Sequence, residues 1–227
     1  MTIIETNGLT LITDPVFRVF GIHQTPRSYT IERMPRPDLV FISHTHVDHF
    51  EPDVLKRLPV GTPVWMAADK LPKAAGLGLA GLHGVREWES AQLRGVRLTV
   101  VPAVHGGGEV GLVVEGDKTV YFAGDTSLDR NLFRIITHRW RLDAVLLPVG
   151  DLRMFGLPFR HIGSKTGAQA LRLLNDPPIV VPTHYSGMTV GPLMAFRGTP
   201  RKLSQAIHDA EVGTVVGTTR PLESVEI

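Results

Sequence analysis

Four potential metal ligands occur within six residues of the sequence, directly after a short apolar run. The run Leu39-Val40-Phe41-Ile42 has the composition of a buried strand. The ligands that follow it are His44, His46, Asp48 and His49. Histidine and aspartate are seldom buried without partners, and packing them beside a core strand would cost several kcal/mol without compensation. A bound cation would supply that compensation, so this cluster predicts a metal site.

The spacing within the cluster suggests two ions. His44 and His46 are separated by one residue, so in an extended segment their side chains leave the same face and can bind one ion. Asp48 and His49 follow where we expect the chain to turn, and a turn lets adjacent side chains converge on a second ion nearby.

Three further candidate ligands follow predicted strands. His105 comes after residues 98–104, Asp125 after residues 120–124, and His184 after residues 179–183. Taken singly, each would more often be a polar residue with a partner in the core. Their repeated placement at strand ends is how one edge of a sheet delivers side chains to a common place, and it favours a shared site.

These motifs resemble those of the metallo-β-lactamase fold hydrolases. The resemblance depends on the HxHxDH run, the isolated His105, Gly124-Asp125-Thr126 and Thr183-His184, and it covers nearly the whole chain. Leu11-Ile12-Thr13-Asp14-Pro15, together with Leu147-Pro148-Val149-Gly150 ahead of His161, is similar to the branch containing ascorbate-phosphate lactonase and N-acyl-phosphatidylethanolamine phospholipase D.

The resemblance implies an α/β (α+β) fold: a four-layer αββα sandwich of two mixed β-sheets flanked by helices. It also implies two divalent ions, with His44, His46 and His105 on the first, Asp48, His49 and His184 on the second, and Asp125 bridging them. The sequence contains no cysteine, so any ligands must be imidazoles and carboxylates. Zinc is the expected metal, although manganese or iron suits the same ligands.

The function implied by the resemblance is metal-dependent hydrolysis of a small ester, lactone or phosphodiester by a hydroxide shared between the ions. Asp48 would orient this nucleophile as well as bind metal. His161 would lie beside the metals, where it could orient the substrate or donate a proton to the leaving group. The alternative for His161 is a histidine bonded near a helix start.

Two other functions remain open. Relatives with this fold use iron for oxygen chemistry, but in them one or more second-site ligands are typically replaced, and here Asp48, His49 and His184 are intact. A non-catalytic protein that keeps metals for structure is the second alternative. The chain leaves no room for the added domain with which nucleases of this superfamily grip nucleic acid, so we expect a small-molecule substrate, with an anionic group favoured.

Composition limits the other possibilities. The 227 residues suit one domain covering residues 1–227, and the oligomeric state is not predicted. The 24 basic and 22 acidic residues give a net charge of +2 without a basic stripe, which makes nucleic acid an unlikely partner. No apolar run is long enough to span a membrane and the first residues do not resemble a secretory signal, so we expect a soluble cytoplasmic protein.

The remaining patterns predict the elements that position these residues. Strands are predicted near residues 9–13, 38–43, 63–67, 93–102, 109–115, 118–123, 142–148 and 178–182. Helices are predicted over residues 52–58, 69–75, 129–136, 164–174 and 201–210, with Ser164 as a cap. We expect antiparallel hairpins across residues 94–122 and crossover connections across residues 142–182. Two long irregular stretches, residues 14–37 and 151–163, could cover a site.

Overall fold

A computed structural model describes residues 1–106, 108–158, 161–185, 193–218, 220 and 222–227. The strands in this part of the chain are β1 (Thr2–Thr6), β2 (Leu9–Thr13), β3 (Arg18–Val19), β4 (Ile22–His23), β5 (Leu39–Ile42), β6 (Pro63–Ala67), β7 (Gly81–Val85), β8 (Ser90–Leu93), β9 (Val96–Pro102), β10 (Val110–Glu115), β11 (Thr119–Phe122), β12 (Ala144–Pro148), β13 (Leu152–Met154), β14 (Leu157–Pro158), β15 (Ile179–Thr183), β16 (Met194–Phe196) and β17 (Val215–Val216). The helices are α1 (Pro52–Leu55), α2 (Leu71–Ala74), α3 (Arg130–Arg139), α4 (Ser164–Leu173) and α5 (Pro200–Asp209).

Two mixed sheets form the centre of the molecule. The first sheet has the order β1-β2-β5-β6-β7, with β1 antiparallel to β2 and the other neighbours parallel. The second has the order β17-β15-β12-β11-β10-β9-β8. Its neighbours are antiparallel from β8 to β11 and parallel from β11 to β17, which confirms the predicted hairpins and crossovers.

Strand β5 shows how sequence alternation builds the layers. Leu39 and Phe41 face the core between the two sheets, whereas Val40 and Ile42 face outward, toward the side that α1 and α2 cover. This is the period-two alternation of a strand that is buried on both faces. Phe41 meets Phe122 of the second sheet edge to face, with ring centroids 6.2 Å apart. The contact joins the two sheets directly.

The outer face of the second sheet is covered by the three longer helices. Phe133 of α3, Leu171 of α4 and Leu203 of α5 are fully buried in one cluster with Val145 and Leu147 of β12. Helices therefore lie outside both sheets, and the predicted four-layer sandwich is confirmed. None of the helices in the described residues is long and apolar enough to cross a membrane.

The start of α4 corrects one prediction. Ser164 is the first residue of the helix and not its cap, which is Gly163. The N–H of Ser164 donates to Asp151 Oδ2 at 3.2 Å, and the N–H of Gly163 donates to Thr166 Oγ1 at 2.8 Å. A side chain at residue 163 would collide with the Asp151 carboxylate, so glycine is required and a carboxylate thirteen residues earlier serves the helix end.

The two predicted irregular stretches contain short strands. Residues 14–37 include the β3–β4 hairpin and a 3-10 turn at Ile31–Arg33. Residues 151–163 include β13 and β14, and β13 also pairs with β16; residues 159 and 160 lie outside the described residues. Strands of two or three residues carry too little periodicity to be read from sequence, and the β13–β16 pairing depends on segments far apart in the chain.

Candidate metal centre

Four strand ends bring the predicted ligands together. β5 ends at Ile42, directly before the cluster that begins with His44. In the second sheet β9, β11 and β15 run in the same direction, because two antiparallel steps separate β9 from β11 and two parallel steps separate β11 from β15. Their carboxyl ends therefore meet at one edge, where His105, Asp125 and His184 follow them.

The first group of potential ligands consists of His44, His46 and His105. One nitrogen from each imidazole lies within 4.8 Å of the others. His44 Nε2 is 2.8 Å from His46 Nδ1, and His105 Nε2 is 3.4 Å from the same Nδ1. Three imidazole nitrogens this close together can coordinate one divalent cation such as zinc and leave a further coordination position open.

The second group consists of Asp48, His49, Asp125 and His184, whose ligand atoms also lie within 4.8 Å of one another. Asp125 Oδ2 is 3.0 Å from His184 Nε2 and 3.2 Å from His49 Nε2. Asp48 Oδ2 is 3.1 Å from His184 Nε2. The buried Nε2 of His49 has no hydrogen-bond partner among the described residues, as expected for an atom that is oriented toward a metal ion.

Asp125 connects the two groups. Besides its place in the second group, it forms a third set of ligand atoms within 4.8 Å together with His105 and His161. His161 Nδ1 lies 3.9 Å from Asp125 Oδ2, and the His161 side chain is only 3% exposed. The structure thus brings together all seven predicted ligands and sets His161 against them. Their roles as ligands and catalytic groups remain predictions.

The histidines and carboxylates of the cluster shift one another's pKa values. Burial alone would lower the pKa of His49, but the Asp125 and Asp14 carboxylates hold that pKa well above its usual range. Burial alone would raise the pKa of Asp125, but His184 and His49 hold it well below its usual range. Burial lowers the pKa of His105 and lowers that of His161 to about 4, so His161 is a neutral imidazole at neutral pH.

Two buried acidic side chains outside the ligand set, the Asp14 carboxylate and the Glu109 carboxyl group, lie against the imidazoles. Asp14 Oδ2 is 2.8 Å from His49 Nδ1, and Asp14 also accepts from the N–H and Oγ of Ser43, both at 2.7 Å. Glu109 Oε1 is 3.4 Å from His44 Nδ1 and accepts from the N–H of Asp125. One ring nitrogen of each histidine is thereby engaged, which leaves Nε2 for a metal ion.

Sequence reasoning missed the roles of these two carboxylates. Asp14 stands in the Leu11–Pro15 motif, so the sequence does contain a signal for a carboxylate that hydrogen-bonds a metal-binding histidine. Glu109 is a single charged residue before the apolar strand β10, and nothing in the sequence distinguishes it. Burial raises the pKa of Glu109 to about 9, with the neighbouring Asp125 carboxylate adding to the effect.

The backbone at the centre adopts uncommon conformations. Asp14 and His184 have φ values of 45° and 52°, in the left-handed region that few residues other than glycine enter. Gly124 has a φ of 61°, and a Cβ there would collide with the Glu109 carboxylate. Such conformations persist only where the surroundings hold them, and they cluster at functional sites.

A small cavity opens onto the second group. Its volume is about 240 Å³, and its wall includes Asp48, Asp125 and His184. Gln24 and Thr25, from the long early stretch, line the same cavity. The prediction that one of the irregular stretches covers the site therefore applies to residues 14–37. The later stretch contributes His161.

The chain belongs to the β-lactamase superfamily, because the model for the beta-lactamase superfamily domain matches residues 10–185. A UPF0173 metal-dependent hydrolase of Methanopyrus kandleri is 25% identical over 98% of this chain and 94% of its own length. The mitochondrial N-acyl-phosphatidylethanolamine-hydrolyzing phospholipase D of Saccharomyces cerevisiae is 28% identical over 64% of this chain, but over only 37% of its own length.

A solved structure agrees with this assignment. Igni18, a metallo hydrolase from Ignicoccus hospitalis, superposes with a TM-score of 0.74 and 24% identity, covering 99% of this chain and 91% of its own. The predicted recognition is confirmed, and the protein is a metal-dependent hydrolase of the metallo-β-lactamase superfamily.

Replacing Asp14 by asparagine tests the outer carboxylates. Asparagine keeps the shape and tolerates the positive φ, but it removes the charge that faces His49. We expect the affinity for the metal ion on the second group to fall by about 10- to 100-fold, measured by competition with a chelator. Asp38→Asn is the matched control, because Asp38 accepts from the Thr10 N–H at the opposite end of β5. Equal affinities in the two variants would contradict the role of Asp14.

Gly124→Ala tests the close approach of Glu109. Gly95, in the β8–β9 turn, also has a positive φ of 80° but nothing within 4 Å of an added Cβ, so Gly95→Ala measures the backbone strain alone. We expect Gly95→Ala to lower the free energy of unfolding by about 1 kcal/mol. Gly124→Ala should lower it by roughly 1–3 kcal/mol more, measured by urea titration. Similar losses in both variants would show that Glu109 does not restrict this position.

Proposed function

We propose that this hydrolase holds two divalent metal ions and cleaves a small ester, lactone or phosphodiester. The observation that carries the proposal is the division of the seven ligand atoms into two groups, with Asp125 in the second group and also beside His105 of the first. A carboxylate in that position is suited to hold two cations near each other, because their repulsion is reduced by an anion between them.

The donor set fits such ions. The first group offers three imidazole nitrogens, and the second offers two imidazoles and two carboxylates. Nitrogen and oxygen donors without thiolates suit zinc, which we propose, and also manganese or iron. When bound, two such ions would supply a water of lowered pKa and polarise the oxygen of the substrate.

Asp48 is suited to orient the attacking water. Its side chain is 35% exposed, whereas that of Asp125 is 4% exposed, so Asp48 is the carboxylate of the second group that solvent can reach. Burial would raise the pKa of Asp48, but the hydrogen bond with His184 and the nearby His49 keep it below the usual range. Asp48 is therefore an anion at neutral pH and can accept a hydrogen bond from water.

His161 is suited to position the substrate. It is neutral at neutral pH, and the approach of metal ions would lower its pKa further, so it is not poised to donate a proton. A neutral imidazole can still hold a substrate oxygen by hydrogen bonding. Of the two roles that the sequence left open, orientation therefore has the better physical support.

The charge of the centre and the name of one relative support the proposed substrate class. Two dications held by only two carboxylates leave a positive centre, which favours an electron-rich or anionic substrate group. The name of the yeast relative describes hydrolysis of a phospholipid, and this supports including phosphodiesters. A small-molecule partner and a cytoplasmic location remain predictions.

Asp125→Ala tests the dinuclear arrangement. We expect two metal ions per wild-type chain, about one or fewer in the variant, and at least a 100-fold loss of hydrolysis, because removal of a shared ligand leaves both ions under-coordinated. Metal analysis and a panel of esters, lactones and phosphodiesters provide the measurements. Asp53→Ala, at an exposed position of α1, is the control.

The same measurements separate the alternatives. One ion per wild-type chain would contradict the dinuclear proposal. Two ions without hydrolysis of any panel member would favour a non-catalytic metal-binding protein, and bound iron with oxygen consumption would favour an oxidoreductase.

His161→Ala tests the role of that residue. If His161 positions the substrate, kcat/KM should fall by roughly 10-fold or more, and by similar factors for aryl esters with good and with poor leaving groups. A larger loss for poor leaving groups would instead identify His161 as a proton donor. His138→Ala, on the exposed face of α3, should leave kcat/KM unchanged for both kinds of ester.

A further inference from the structure

A second cavity begins beside the metal centre. It has a volume of about 870 Å³ and lies between α4, α5 and β13, and none of its lining residues lines the smaller cavity. His161 forms part of its wall, and the same imidazole lies 3.9 Å from Asp125. The cavity therefore starts at a residue that adjoins the candidate ligands and extends away from them.

Four cationic side chains line this cavity. Arg153 comes from β13, Lys165 from the first turn of α4, Arg197 from the segment after β16, and Lys202 from α5. Among the described residues none of the four forms an ion pair with a carboxylate. Lys165, Arg197 and Lys202 are exposed and Arg153 is half-buried, so together they give this wall a positive potential that attracts an anion.

The two carboxylates that line the cavity offset only part of this positive charge. Asp151 accepts from the N–H of Ser164, at the start of α4. Asp209 accepts from Gln205 Nε2 at 2.7 Å. Both carboxylates keep their charge in these hydrogen bonds, so four cations against two anions leave the wall with a formal positive excess.

A buried hydroxyl adds a second, independent observation. Ser164 lines the cavity and is 3% exposed, and its Oγ has no hydrogen-bond partner among the described residues. A buried hydroxyl without a partner is costly. It lies in the first turn of α4, next to the Asp151 carboxylate that accepts from the Ser164 N–H.

We propose that this cavity binds a second anionic group of the substrate, a phosphate or a carboxylate, while the bond to be cleaved lies at the metal centre. The anion site itself is independent of the proposed hydrolase function. The statement that the anion belongs to a substrate rests on that function. Lys165 and Ser164 would contact the oxyanion, and the remaining cations would hold it by charge. The preferred substrate is then an ester, lactone or phosphodiester that carries a separate negative charge.

The test is calorimetric titration of the metal-loaded protein with inorganic phosphate and, separately, with acetate. We expect two classes of phosphate site in the wild type, one at the metals and one in the cavity. Lys165→Ala should weaken the cavity class by roughly tenfold, because a charge-assisted hydrogen bond is lost, and should leave the metal class intact. Ser164→Ala should weaken the cavity class to a smaller degree.

Two controls fix the location of the binding. Lys73→Ala removes an exposed lysine of α2, on the opposite side of the sandwich, and should change neither class. Asp125→Ala, which we expect to hold about one metal ion or fewer, should weaken the metal class and leave the cavity class unchanged. Phosphate bound at least tenfold more tightly than acetate would identify a phosphate site, and comparable affinities would identify a carboxylate site.

Other results would overturn the proposal. Identical isotherms for the wild type and Lys165→Ala, or loss of all phosphate binding in Asp125→Ala, would show that the cavity binds no anion. If phosphate binding depends on Lys165 but the protein hydrolyses no member of the panel, the anion site is supported and the proposed substrates are rejected. Hydrolysis without such binding would reject only the cavity proposal.

Discussion

The burial of carboxylates and imidazoles in one small volume is the constraint on which the rest of the structure depends. Asp125 and His49 are almost fully buried, and their proximity raises the pKa of His49 and lowers the pKa of Asp125. Such a cluster is tolerated only when every polar atom is directed at a partner, and bound cations would satisfy the atoms that the protein does not. The outer carboxylates Asp14 and Glu109 belong to the same arrangement, because they fix the rings whose remaining nitrogens face inward.

The fold meets this constraint by using rigid elements. The residues that converge follow strands of two sheets, and the core between the sheets, including the contact of Phe41 with Phe122, holds those strand ends in register. A loop alone would not hold the ligand atoms of each group within 4.8 Å of one another. The α4 helix adds a further fixed point, because its start is tied to Asp151 next to His161.

Much of this could be predicted from the sequence, for physical reasons. Local patterns predict the strands and the ligand positions. Examples are the alternation in β5 and the apolar runs before His105, Asp125 and His184. The sequence does not predict which distant short segments pair, as β13 does with β16. It also does not predict the partners of isolated charged residues. Glu109 and the capping of α4 by Asp151 belong to this second kind, since each depends on contacts across many residues.

Glu109 touches both halves of the candidate centre, since one of its oxygens faces the His44 ring and also accepts from the amide of Asp125. A displacement of the Glu109 side chain would therefore change the surroundings of His44, in the first group, and of Asp125, which lies beside both groups. Thermodynamic reciprocity requires that any effect of an ion at one group on affinity at the other be matched by an equal effect in the reverse direction. Glu109 is accordingly the side chain through which the two proposed metal positions would influence each other.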